Sequence, residues 1–323
     1  MKISVMIPTF RRPDFLKRAV ENVIAQTYDD WELVVSDDDV CEESETWQWL
    51  VTVAREDARI HPVKNVGPKH GQVYNVNNGL RATRGEWVKV LFDDDGLLPN
   101  CLARFAEVAQ RFPEAALIGC RGQTWRNGVH VGDEPNYQSA PIEVIRREDA
   151  LLSLCLFDRW NGTTPTHVLV RGDLVRSGCG MVEDDKFKMA VDVRWFARLF
   201  ARGDHIVISD VLVQQRQGEV GSLTSECWAD ASILDDEDLR VYEEIFNESF
   251  PHDKRWPTLR QMLAMIGCIK AVFHLRRLRI KNAVRMAMYG GMSLKGMCLS
   301  ARFFLQKACP SRFAATPRGL FEK

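Results

Sequence analysis

No stretch of this sequence stays apolar for the roughly 18 residues needed to cross a bilayer. The run "MLAMIGCI" (262–269) stops at Lys270. The nine cysteines, at 41, 101, 120, 155, 179, 227, 268, 298 and 309, include no CxxC pair. That absence argues against a zinc site or a disulfide framework and fits free thiols in a reducing compartment. No GxGxxG follows a strand-like run, which counts against an NAD-binding dehydrogenase. There is neither an internal repeat nor a low-complexity tract, and the opening "KISVMIPTFRRP" lacks the length and the small-residue cleavage site of a secretory signal. The expectation from these absences is a cytoplasmic protein.

What is present is the composition of a globular protein with a substantial core: 323 residues, 46% hydrophobic and 27% charged. That length suits one large domain with an extension, or two domains. The net charge of −1 hides an asymmetry, because residues 268–323 carry twelve Lys/Arg against one acid, +11, leaving −12 on the remainder. A basic tail on an acidic body points to an anionic membrane surface through basic, Phe/Leu/Met-containing helices. Nucleic acid is not expected. The alternatives are a helical bundle packed on the main domain, or a homo-oligomer contact.

The first 120 residues alternate between strand and helix periods. "ISVMIPT" (3–9), "WELVVSD" (31–37), "HPVKN" (61–65) and "EWVKVLFD" (86–93) read as strands; 13–27, 43–57, 71–83 and about 99–111 read as helices. Pro13 opens the first helix. Such alternation implies βαβ units, hence an α/β fold with a mostly parallel central sheet flanked by helices. "AALIGCR" (115–121) and "HIVISDVLVQQ" (205–215) are further strands, "DVRWFARLFARGD" (192–204) is an amphipathic helix, 122–190 is irregular, and beyond 226 the chain is helical. The domains expected are therefore 1–225 and a helical C-terminal extension, 226–323, basic from about 268.

In an open parallel sheet, ligands bind beyond the carboxyl ends of the strands. There the sequence has Pro8-Thr9-Phe10-Arg11-Arg12, then Asp37-Asp38-Asp39, then Asp93-Asp94-Asp95. A single such Asp is explained by a turn or a helix cap; two triplets on one edge suggest chemistry. They could be an acid/base pair acting on a sugar, or the holders of a divalent cation bridging a diphosphate. In extended chain Asp93 and Asp95 face one side and Asp94 the other, which suits an ion better than two groups flanking a bond.

The ordered blocks "ISVMIPTFRRPDFLKRAVENVIAQTYDDWELVVSDDD", "NVGPKHGQVYNVNNGLRATRGEWVKVLFDDDGLLP" and "VDVRWFARLFARG" resemble the inverting family-2 glycosyltransferases of the GT-A fold, over about residues 3–220. The resemblance implies a nucleotide-sugar donor, with UDP-sugars foremost, and a glycan or lipid-linked acceptor, as in cell-surface polysaccharide or glycolipid assembly. It implies donor contacts at Pro8, Thr9, Arg11, Arg12, Asp37, Asp38, Asn77, Asp93 and Asp94. It implies Mn²⁺ or Mg²⁺ at Asp95 and Asp93, and a catalytic base at Asp192, for which helix capping is the alternative. Other classes to set against it are a sugar nucleotidyltransferase, disfavoured because "IPTFRRPD" has no glycine, and a non-catalytic nucleotide-sugar or glycan-binding protein.

Three departures from the family pattern stand out. "QQRQGEVGSLTSE" lacks the His that often completes the metal shell, leaving Gln215, Gln217, Glu219 or water. Asn75-Val76-Asn77 replaces Ala-Arg-Asn, with Lys69, His70 or Arg84 as substitutes for the lost Arg. Val191-Asp192 keeps only the second acid of the usual pair.

Overall fold

The computed structural model describes residues 1–134, 140–156, 164–188, 190–217, 231–249, 259–276 and 280–289. Its first half follows the expected alternation: β1 (Ile3–Thr9), α1 (Pro13–Ile24), β2 (Trp31–Asp37), α2 (Glu45–Glu56), β3 (Ile60–Lys64), α3 (Gln72–Ala82), β4 (Trp87–Val90). A two-residue strand β5 (Gly96–Leu97) and α4 (Cys101–Arg111) follow. Local chemistry accounts for the boundaries. Pro13 sits in the first turn of α1, and the Ser44 hydroxyl accepts from the Trp47 amide to open α2.

The second half is richer than its irregular sequence suggests. It contains β6 (Leu117–Arg126), β7 (Val129–Asp133), β8 (Ile142–Ile145), α5 (Arg147–Leu156), a 3₁₀ turn (Pro165–His167), β9 (Val168–Arg171), α6 (Gly172–Arg176), α7 (Val191–Phe200) and β10 (His205–Gln217). Three helices close the described chain: α8 (Ala231–Ser249), α9 (Leu259–Arg276) and α10 (Ile280–Tyr289). No helix among the described residues is long and apolar enough to cross a membrane.

The main sheet runs β3-β2-β1-β4-β9-β6-β10-β5. β1 to β4 pair in parallel, as the alternation implied. The rest is mixed: β9 lies antiparallel between β4 and β6, and β10 is parallel to β6 but antiparallel to β5 and β8. The four residues of β9, too few to show a period, are recruited by the neighbours they pair with.

Each face of the sheet has its own core. Ile3, Val5 and Ile7 of β1 pack with Leu16, Val20, Leu102 and Phe105 from the α1 and α4 side. Met6 faces the other way, with Val76 and Leu80 of α3 and Trp195, Phe196 and Phe200 of α7. Close approach demands glycine twice: a Cβ at Gly79 would lie 2.6 Å from Met6 Sδ, and one at Gly85 would lie 2.5 Å from the Ser4 nitrogen. Val241, Tyr242 and Ile245 of α8, Met265 and Ile266 of α9 and Met286 of α10 join the α7 side of the core. The described part of the extension is thus packed on the main domain.

Candidate active site

Parallel registry brings three strand ends together. Thr9 pairs with Asp37, and Asp37 with Lys64. The fully buried Asp37 accepts from the Asp39 amide (3.0 Å) and from Lys64 Nζ (3.1 Å). Lys64 also donates to the carbonyls of Asp39 and Cys41 and lies 4.4 Å from the centre of the Trp47 ring. A buried carboxylate of this kind needs its cation; the opposite charges at paired strand ends were the available signal. Asp38 is held by Asn65 Nδ2 (2.7 Å), His70 Nδ1 (3.2 Å) and the Gly71 amide (2.7 Å). Gly71 has φ +104°, a conformation that favours glycine. Asp39 takes Arg11 Nε at 2.8 Å, and this bond holds its carboxyl below the usual range. Arg11 itself is exposed, has φ +53° and stands over the Phe10 ring.

The Asp93–Asp95 segment is not extended. The Asp95 amide bonds the Phe92 carbonyl (3.0 Å), closing a turn, so side chains do not alternate as the strand reading assumed. Asp93 and Asp94 share Arg12, at 3.4 and 3.5 Å, and Asp93 also accepts from the Thr9 hydroxyl at 2.8 Å. Asp95 has different partners: the Thr166 hydroxyl (2.6 Å) and the Arg216 amide (3.0 Å). Burial and the Asp94 charge push Asp93 up to about 6, and the same causes push Asp95 up to about 7. Thr166 comes from the 3₁₀ turn before β9, in sequence that offered no motif. Behind the turn lies Lys89, fully buried, donating to the carbonyls of Val90, Thr166 and Val168. Burial pushes its ammonium down, while the Asp95 charge opposes that shift.

Asp192 stands in the first turn of α7, half-buried, with Oδ1 accepting from the Val193 amide at 2.8 Å. Asn77 binds the chain leading to that helix: its amide donates to the Met181 carbonyl and Glu183 (both 2.8 Å) and accepts from the Met181 amide. Its side-chain amide is therefore engaged by 181–183 rather than by the strand ends. Lys69 pairs with Asp185 at 2.8 Å. Gln217 accepts from Arg126, and residues 218–225, including Glu219, lie outside the described residues. The Arg216 amide on Asp95 nevertheless brings the end of β10 to the acidic turn.

The turn's chemistry fits a divalent cation. Hard carboxylate oxygens, two of the three groups buried and held towards protonation by that burial and by the Asp94 charge, suit Mg²⁺ or Mn²⁺. Among the described residues no three His, Cys, Asp or Glu side chains form a ligand cluster. The remaining positions would then fall to phosphate oxygens and water, the usual arrangement for Mg²⁺.

Residues 4–157 match the family model described as Glycosyl transferase family 2. A Campylobacter jejuni GalNAc(5)-diNAcBac-PP-undecaprenol beta-1,3-glucosyltransferase is 35% identical over 108 residues, 33% of this chain and 34% of that protein. A putative colanic acid biosynthesis glycosyl transferase of Escherichia coli, WcaA, is 30% identical over 146 residues, 43% of this chain and 50% of its own. The chain thus spans between about a third and a half of these relatives. Among solved structures, S. aureus TarS in complex with UDP-GlcNAc superposes with TM-score 0.58 at 17% identity, covering 89% of this chain and 90% of that one. The mannosyltransferase PcManGT from Pyrobaculum calidifontis, in complex with GDP-Man and Mn²⁺, gives TM-score 0.58 at 16% identity, covering 97% and 81%. These likenesses are of fold, and the fold is the GT-A type expected from the sequence. The similarity to glycosyl transferase family 2 thus runs over residues 4–157, the segment that carries the ends of β1, β2 and β4 and both acidic triplets.

Proposed function

We propose that the protein transfers a sugar from a nucleotide-diphosphate sugar, a UDP-sugar foremost, to an acceptor hydroxyl with inversion at the sugar carbon. The observation that carries this reading is the Asp93–Asp95 turn, tied to the end of β1 through Thr9 and Arg12. Nucleotide-sugar complexes of TarS and PcManGT support it by analogy of fold.

Asp95 and Asp93 would hold Mn²⁺ or Mg²⁺, which when bound supplies Lewis-acid neutralisation of the leaving diphosphate. Arg12, already shared by Asp93 and Asp94, keeps a fixed positive charge beside that phosphate. Pro8, Thr9 and Arg11 line the donor side at the end of β1. Asp37 and Asp38 shape the adjoining wall through Lys64 and Gly71 rather than through open carboxylates. Asp192 takes the proton of the acceptor hydroxyl as it attacks. One displacement with one base inverts the sugar carbon.

A lipid-linked acceptor, of the kind named for the Campylobacter relative, would lie at an anionic membrane. The basic charge beyond residue 268 and the exposed Leu275, Val284 and Met288 support peripheral contact there. The deciding experiment measures binding and UDP or GDP release across a panel of nucleotide sugars, with and without Mn²⁺. Metal-dependent release is expected for at least one donor. Binding of none, with or without metal, sinks the reading; binding without release or transfer leaves a nucleotide-sugar-binding protein.

A further inference from the structure

We propose that Glu237, on a helix outside the family-matched segment, is a positioning residue for Asp192; this rests on Asp192 being the base. The first amides of a helix have no partner within it, and Asp192 stands among them in α7. The chain entering α7 is gripped from two sides. On one side α3 holds it, through Asn77 on Met181 and Glu183 and Tyr74 on Asp185 (2.7 Å), the latter with φ +56°. On the other side is α8. Glu237, 8% exposed, accepts from the Lys188 amide with both carboxylate oxygens (2.9 and 3.0 Å) and from the Ala190 amide (3.3 Å).

Two turns further along the same face of α8, Glu244 pairs with Arg194 (2.9 Å) and Lys186 (3.3 Å). Between them Arg240 stands 5.4 Å from the Phe187 ring centre. Glu237, Arg240 and Glu244 are three and four residues apart, so one helical stripe meets Lys186, Phe187, Lys188, Ala190 and Arg194. A carboxylate at the positive end of α7 is electrostatically favourable. Its geometric effect is more specific: Ala190 is two residues before Asp192, so the carboxylate that fixes the Ala190 amide sets where the first turn begins. Misplacing a catalytic group by about 1 Å can cost two orders of magnitude in rate.

Glu237→Gln turns one acceptor into a donor facing a backbone amide. The assay is UDP release to water from the UDP-sugar selected by the panel, with Mn²⁺. The expected result is a fall of at least about tenfold in kcat, donor KM within about twofold of the parent. In an Asp192→Glu background, where the base is already displaced, the same change should cost less than about threefold. An unchanged kcat, or a loss fully multiplicative with Asp192→Glu, overturns the proposal. UDP binding reports folding; if Glu237→Gln does not bind UDP, Glu237→Asp is read by the same criteria, and failure of both makes the residue structural and overturns the role. Full activity of Asp192→Asn overturns the base reading and this one together. An inactive Asp192→Asn with a multiplicative cycle overturns Glu237 alone.

Discussion

Asp95→Asn should make the metal-free protein more stable at alkaline pH while destroying its activity. Burial and the Asp94 charge raise the Asp95 carboxyl from 3.8 to about 7. The folded state therefore binds a proton that the unfolded chain has released between those values. Stability is fully present below the unfolded value and is lost as pH rises through the folded one, at about 1.4 kcal/mol per pH unit. The total loss above pH 7 is at most about 4 kcal/mol. Asparagine removes that term and keeps most of the bonding: its oxygen accepts from the Arg216 amide and its NH₂ donates to a rotated Thr166 hydroxyl. Urea titrations of parent and variant from pH 4 to 8, with EDTA, are the measurement. The two proteins should agree within about 1 kcal/mol near pH 4, and the variant should pull ahead up to pH 7, then hold its lead. Mn²⁺ at pH 8 should stabilise the parent and narrow the gap. A difference that stays constant across the range, or a variant less stable at pH 8, refutes the reasoning.

Asp192→Asn should abolish transfer while leaving donor affinity within about twofold, read by calorimetry against turnover. Lys64→Met strands the buried Asp37 carboxylate and should cost about 3–5 kcal/mol in urea unfolding; a loss below about 1 kcal/mol would show that Asp37 finds another donor. His205 is fully buried against Phe200, and burial pushes it down from 6.5 to about 3. The folded state thus refuses a proton that the unfolded chain accepts, so stability falls as pH drops from 6.5 towards 3, by about 1.4 kcal/mol per unit. His205→Leu should flatten that acid limb relative to the parent; parallel acid limbs would assign the loss to other groups.

Much of the fold was legible because local periodicity encodes burial. The alternation of "ISVMIPT", "WELVVSD" and "EWVKVLFD" with helical stretches predicted β1, β2 and β4, their parallel pairing, and an edge carrying Thr9, Asp37 and Asp93. The family-like blocks pointed to the same edge from motif order. The 3.6-residue pattern of "DVRWFARLFARGD" (192–204) gave α7 with Asp192 in its first turn, starting one residue from the observed Val191 and running four residues past Phe200.

Contacts between distant segments were not legible. Thr166 meets Asp95 across 71 residues, and Glu237 reaches the Lys188 amide across 49. Neither has a spacing that a one-dimensional pattern records. The short β9 has no readable period; it exists because β4 and β6 leave a place between them, and it brings Thr166 to the acids and seals Lys89 behind them. Asp93, Asp94 and Asp95 looked like alternating strand residues until the Phe92–Asp95 turn reassigned their partners, joining the first two at Arg12 and sending the third to β10. By itself the sequence determined which residues are buried in strands and which acids stand at their ends. Only the tertiary structure decided which cation, hydroxyl or amide each acid faces, because that choice depends on packing between elements far apart in the chain.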